Sequence, residues 1–196
     1  QIFLSSRENQ ATLQANLKDY NAKVVLQTST TVYRNDLSGV LSQIVAQGKN
    51  WAENLGKEAK ISILSDEPVL SADTIKLIFD ILLHLVKNSI DHSIEKHGKI
   101  DIRIREESGG LQLTISDDGK GVNLEKVRAK AIEKKLILQD TMLSEQETLE
   151  LIFLPGFSTA EKVTEISGRG IGLDAVRDLV INTGGTISIE SQKDAG

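Results

Sequence analysis

The stretch His84-Leu-Val-Lys-Asn88-Ser-Ile-Asp91-His92 decides how the rest of the chain is read. On an ideal helix at roughly 100° per residue, with His84 at zero, Asp91 falls near -20°, Glu95 near +20°, Asn88 near +40° and His92 near +80°. Phe79, Leu82, Val86 and Ile90 fall on the opposite side. The helix therefore carries one polar stripe on an otherwise apolar body. A solvent-facing stripe is the ordinary outcome for an amphipathic helix, but this one is rich in short, directional ligands. The Asn88 amide oxygen is a neutral, hard ligand suited to a magnesium ion that already carries phosphate oxygens. His84, one turn earlier, is placed to face a terminal phosphate, and Asp91 and His92 to flank the ligand. A zinc site is discounted, because the chain has 3 histidines and no His-Glu-x-x-His pattern.

Two motifs downstream strengthen this reading. Asp117-Asp-Gly119-Lys-Gly121 follows a strand. A carboxylate there accepts hydrogen bonds and donates none, so it favours the exocyclic amine of adenine over the same edge of guanine. Gly119 and Gly121 allow a tight turn and a close approach of backbone to a base. An ordinary Asp-Gly turn is the alternative. Gly168-Arg-Gly170-Ile-Gly172 then leads into a helix, whose free amides and dipole suit phosphate oxygens. Its G-x-G-x-G spacing is not the dinucleotide fingerprint, and no G-x-x-x-x-G-K-[ST] loop occurs. A plain flexible loop is the alternative. In this order the three motifs describe a single ATP pocket, with phosphoryl transfer as the expected chemistry.

The segment at about 122–171 reads as a lid over that pocket. Pro155-Gly156 is placed as its hinge and Phe157 as a latch onto apolar surface. Ser158 and Thr159 offer hydroxyls to phosphate. Lys126 and Lys130, one turn apart, either face phosphates or form a solvated basic patch.

Composition is consistent with this and excludes other classes. In 196 residues, 39% are hydrophobic and 26% charged, as in a soluble globular domain. The net charge of -5 argues against a nucleic-acid binder. An acidic protein that holds ATP needs local cations, which is why magnesium and placed lysines enter the reading. With no cysteine, disulfide and thiolate chemistry are excluded, consistent with a reducing cytoplasm. No apolar run reaches membrane-spanning length, so direct membrane insertion by this chain is not expected.

Residues 1–36 carry no usable motif and read as a linker or helical extension, with a helix over Ser5–Tyr20. The main domain, 37–196, opens with a helix over Leu37–Leu55. A strand at Ile61–Leu64 follows, then a long helix from Ser71 to about Lys96. Alternation at Ile100, Ile102 and Ile104, then Leu111, Leu113 and Ile115 around Ser108-Gly-Gly110, predicts a hairpin. Helices are expected at Leu124–Lys135, Ser144–Phe153 (with a Ser144/Glu147 capping box) and Gly172–Thr183, and a strand at Thr186–Ser191. The fold class is α+β, a two-layer sandwich with helices on one face of a mixed sheet.

Three segments carry a family resemblance: HLVKNSIDHSIE at 84–95, SDDGKGVNLEKVRAKAIEKKLI at 116–137 and IFLPGFSTAEKVTEISGRGIGLDAVRDLV at 152–180. They resemble the GHKL (Bergerat) ATP-binding fold of histidine kinases, gyrase, Hsp90 and MutL, and most of all the kinase domain of chemotaxis histidine kinases of the CheA type. The resemblance spans about residues 37–191. It implies that Asn88 binds magnesium, that His84 and His92 contact phosphates, and that Asp117 binds adenine in a pocket shaped by Gly119 and Gly121. It implies that Lys126, Lys130, Ser158 and Thr159 meet phosphates from the lid, which Gly168, Gly170 and Gly172 close over ATP. Lys87 stands where the family has arginine, and Ser93 where it has glycine. Hydrolysing members hold a glutamate one turn before the magnesium asparagine, where it activates water. Here that position is His84, which favours transfer to a protein acceptor over hydrolysis. The acceptor histidine, the dimerising helices and the response regulator of two-component signalling are expected on other domains or proteins. A GHKL ATPase and a non-catalytic ATP-binding regulatory module are the alternatives.

Overall fold

The computed structural model describes residues 15–17, 21–26, 37–107, 110–157 and 172–192. In chain order these form β1 (Ala15–Leu17), β2 (Asn21–Leu26), α1 (Leu37–Asn54), β3 (Glu58–Ser65), α2 (Ala72–Asn88), β4 (His97–Glu107), β5 (Gly110–Asp117), α3 (Leu124–Glu133), α4 (Glu145–Glu150), α5 (Leu173–Asn182) and β6 (Thr186–Glu190).

The core follows from two apolar patterns meeting. In β4, Ile100, Ile102 and Ile104 are buried while Arg103 and Arg105 are exposed. In β5, Leu111, Leu113 and Ile115 are buried in the same alternation. The antiparallel register sets Ile102 opposite Ile115 and Ile104 opposite Leu113, which makes one continuous apolar face. Onto it packs α2 through Ile75, Ile78, Ile81, Leu82, Leu85 and Val86. Ser71 caps α2, its hydroxyl accepting from the Thr74 amide at 3.2 Å, and Asp73 sits in the first turn where the helix dipole favours it. α1 packs against α2 and β3, and α5 also packs against α2.

The sheet order is β1-β2-β5-β4-β3, with β6 pairing β2. β3 and β4 are parallel, joined by a crossover through α2; the other pairs are antiparallel. This is the expected two-layer sandwich on a mixed sheet. Among the described residues, no helix is long and apolar enough to cross a membrane.

Two expectations are corrected. The helix over Ser5–Tyr20 gives way to strand at 15–17, and 21–26 is strand too; both join the sheet. The reason is tertiary: the free edge of β5 offers a full backbone ladder to Ala22–Leu26, which outweighs weak local helix preference. The long helix does not reach Lys96. It ends at Ser93, because Ile94 turns extended (φ -75°, ψ 128°) to lead into β4. The hairpin tip at 108–109 lies outside the described residues.

Candidate functional site

The polar stripe of α2 runs into a widened last turn. Ser89–Ser93 form a π-helical turn, closed by the Ile94 amide donating to the Ser89 carbonyl at 2.9 Å. Such turns recur at functional sites because the extra residue re-aims side chains. Lys57, just before β3, holds this turn from outside. Its ammonium donates to the carbonyls of Ile90 at 2.5 Å and Asp91 at 3.3 Å, placing a cation where the helix end is negative. Asn88, His92, Ser93 and Glu95 then face a cleft of about 670 Å³.

The end of β5 closes the back of the cleft. Asp117 is 4% exposed, and its Oδ1 accepts from the Ser93 hydroxyl at 2.5 Å and the Gly119 amide at 3.0 Å. Gly119 lies against Ser93: a Cβ there would stand 2.2 Å from Ser93 Oγ and 2.6 Å from its carbonyl carbon and oxygen. The Lys120 amide donates to the Ser93 carbonyl at 3.2 Å, so the two motifs are joined through backbone as well.

The facing wall belongs to α3. Asn123 caps it by accepting from the Lys126 amide at 2.9 Å. From this helix Lys126, Val127 and Lys130 face the cleft, with Lys120 at its rim and Ile152, Phe157 and Leu173 supplying apolar surface. Phe157 is buried, and the Lys130 ammonium sits 5.1 Å from its ring centre. Arg128 ties α3 to the following loop through the carbonyls of Gln139 (3.1 Å) and Thr141 (2.5 Å). Gly156 stands at φ +79°, the left-handed region that favours glycine, and its carbonyl accepts from Lys134 at 2.5 Å.

Both histidines of the stripe are held toward the neutral form. Burial lowers the His84 pKa, while the Asp80 carboxylate pulls the other way. Burial also lowers that of His92; Asp91 opposes this, and Lys130, Lys87 and Lys120 add to it.

Of the residues singled out from sequence, Asn88, His92, Gly121, Lys126 and Lys130 line the cleft together. Asp117 and Gly119 pack behind Ser93. Gly172 caps α5 next to the lining Leu173. His84 is half-buried one turn along α2 and does not line the cleft. Asp91 is turned aside: it pairs with Lys87 at 2.7 Å, and Lys87 lies 5.5 Å over the Trp51 ring of α1. Ser158, Thr159, Gly168 and Gly170 lie outside the described residues. Ser93 and Lys57 were not marked as site residues. Ser93 follows His92 directly and its contact to Asp117 is what reveals it. Lys57 has no sequence signal, because its partners are 33 and 34 residues away.

Among the described residues no three His, Cys, Asp or Glu side chains gather as a metal cage. Magnesium shared with phosphates needs only one or two protein ligands, and the half-buried Asn88 amide in the cleft meets that need. A cleft with a cationic wall, an apolar lining and one neutral hard ligand suits a polyphosphate attached to a flat ring.

A family model described as "Histidine kinase-, DNA gyrase B-, and HSP90-like ATPase" matches residues 73–196. The gliding motility regulatory protein of Myxococcus xanthus is 36% identical over 169 residues, 80% of this chain and 22% of that protein. The chemotaxis protein CheA of Salmonella typhimurium is 32% identical over 187 residues, 90% of this chain and 28% of that protein. CheA of Borreliella burgdorferi is 35% identical over 167 residues, 80% of this chain and 19% of that protein. The chain thus spans between 19% and 28% of the length of these relatives.

Proposed function

Because the chain belongs to the family of histidine kinase-, DNA gyrase B- and HSP90-like ATPases, we propose that it is the ATP-binding catalytic domain of a CheA-like sensor histidine kinase. The observation that carries this is the cleft itself, which Asn88, Lys120, Lys126 and Lys130 line together, with the Ser93–Asp117 pair at its back. The polyphosphate lies between the lysines and Asn88, and the adenine lies toward Ser93 and Asp117. Magnesium on Asn88 supplies charge neutralisation to the phosphates when bound.

Catalysis of this kind is positioning and charge stabilisation, not covalent chemistry by the domain. Neutral His92 at the cleft donates or accepts a hydrogen bond without competing with the lysines for the anion. His84 stands where a carboxylate would activate water, and an imidazole there leaves the terminal phosphate for a protein acceptor. That acceptor is a histidine on a separate domain, and the phosphate passes on to a response regulator in chemotaxis-like signalling. The intact protein dimerises through a domain outside this chain and works in the cytoplasm. Ser158, Thr159, Gly168, Gly170 and Gly172 complete the site as a lid.

The test follows the labelled terminal phosphate of magnesium-ATP in the intact protein, beside Asn88→Ala. Acid-labile, base-stable label on protein, lost in the variant, is expected. Label appearing only as free phosphate makes the domain an ATPase. ATP binding with neither transfer nor release makes it a regulatory module.

A further inference from the structure

The widened turn is braced by the end of α1, and the brace is chemically specific. Trp51, the one tryptophan of the chain, lies near the end of α1 and is 9% exposed. The Lys87 ammonium stands 5.5 Å from the centre of its ring and donates to Asp91 Oδ2 at 2.7 Å. One ammonium therefore serves two partners, a ring face and a carboxylate. Lys87 and Asp91 do not line the cleft, but their immediate neighbours in sequence, Asn88 and His92, do. Close packing holds α1 at this level of α2: a Cβ on Gly48, three residues before Trp51, would stand 3.1 Å from Val86 Cγ1 and 3.6 Å from Ile90 Cδ1. An exposed lysine–carboxylate pair fixes little, because a long side chain gives up its freedom to form it. This pair is half-buried, and the indole beside the ammonium removes much of that freedom.

We propose that Trp51 is a positioning residue for the nucleotide site: it holds Lys87, Lys87 holds the Asp91 carboxylate aside, and the turn so fixed presents Asn88 and His92 to the phosphates. This rests on the nucleotide-binding reading and deepens it by placing a determinant of affinity on α1, outside the cleft. An Asp91 carboxylate released from Lys87 is free to approach the phosphates, and its charge opposes theirs. By linkage, a contact that favours binding is itself favoured by binding, so the nucleotide draws Lys87 more firmly onto the ring. The indole reports this directly, because a charge over its face shifts its emission.

The experiment titrates the intact protein with magnesium-ATP, reading binding by calorimetry and tryptophan emission in parallel; the difference from Trp51→Phe isolates the emission of Trp51. Trp51→Leu is expected to weaken binding by about threefold, the scale of one cation–π contact at a partly exposed site. Trp51→Phe, which loses similar bulk but keeps a ring, recovers most of that. Lys87→Met weakens binding and abolishes any further effect of Trp51→Leu, because the two side chains act as a pair. Trp51 emission shifts with ATP occupancy in the unaltered protein and not in Lys87→Met. Circular dichroism in urea checks that each variant is folded. A merely structural Trp51 would weaken the Phe and Leu variants alike and add its loss to that of Lys87→Met. That result, or equal affinity in Trp51→Leu and the unaltered protein, overturns the inference while leaving nucleotide binding intact. If Trp51→Leu does not fold, the emission response of the unaltered protein against Lys87→Met decides alone. Absence of ATP binding in the unaltered protein overturns the nucleotide reading, and this inference with it.

Discussion

The two walls of the cleft are helices of opposite character. α2 buries seven of its 17 residues, among them Ile78, Ile81, Leu82 and Leu85, between the sheet and its neighbouring helices. α3 buries only Val127 and Ala131 of its 10 residues and is held by a cap, by Arg128 and by Lys130 over Phe157. The wall that carries the short directional groups is thus part of the core. The wall that carries the long cations rests on the surface. Short side chains need a fixed backbone to hit a ligand, whereas lysines reach for phosphate and tolerate movement of theirs.

This contrast breaks first in the core. Leu82→Ala should destabilise the protein by about 2–5 kcal/mol, and Val127→Ala in α3 by about 1 kcal/mol, both read from urea unfolding midpoints. Equal losses would mean that α3 belongs to the same cooperative core. Next, Lys57→Met should cost about 1–2 kcal/mol, since it strips a charged donor from two carbonyls within the widened turn. It should also weaken nucleotide binding in titrations, although Lys57 does not touch the cleft. Unchanged affinity would show that the turn is held by its own packing.

The smallest effect is one of pH. The His84 pKa is lowered on folding from its ordinary 6.5, chiefly by burial. Below about 6.5 the unfolded chain takes up more protons than the folded one, so this contribution is fully present above that pH and declines as pH falls toward the folded value. Unfolding midpoints measured downward from neutral pH should fall, and His84→Gln should flatten the decline. A decline unchanged in that variant would assign it to His92 or to carboxylates.

What the sequence made legible was whatever has a local period or a local partner. The alternation of Ile100, Ile102 and Ile104 against Leu111, Leu113 and Ile115 gave the central hairpin, and the apolar side of α2 gave its burial. The Ser144–Glu147 capping box, three residues apart, was legible for the same reason. What escaped depends on distant chain. Residues 15–17 and 21–26 are strand because the edge of β5 is there to receive them. Lys57 matters only because a turn more than 30 residues later comes to lie beside it. The candidate site divides in the same way: Asn88 and His92 followed from helical spacing, whereas Ser93 came to light through a contact across 24 residues.

The widened turn at Ser89–Ser93 acts as a phase shift between sequence and space. Counted at the ordinary helical angle, Asp91 belongs with His84 and Asn88, and Ser93 belongs to another face. One added residue per turn advances the wheel, so that Asp91 drops out toward Lys87 while His92 and Ser93 swing into the cleft. Removing a single residue from this turn would therefore not merely shorten the helix. It would reassign which letters of the motif the ligand meets, much as a frame shift changes a message without altering its alphabet.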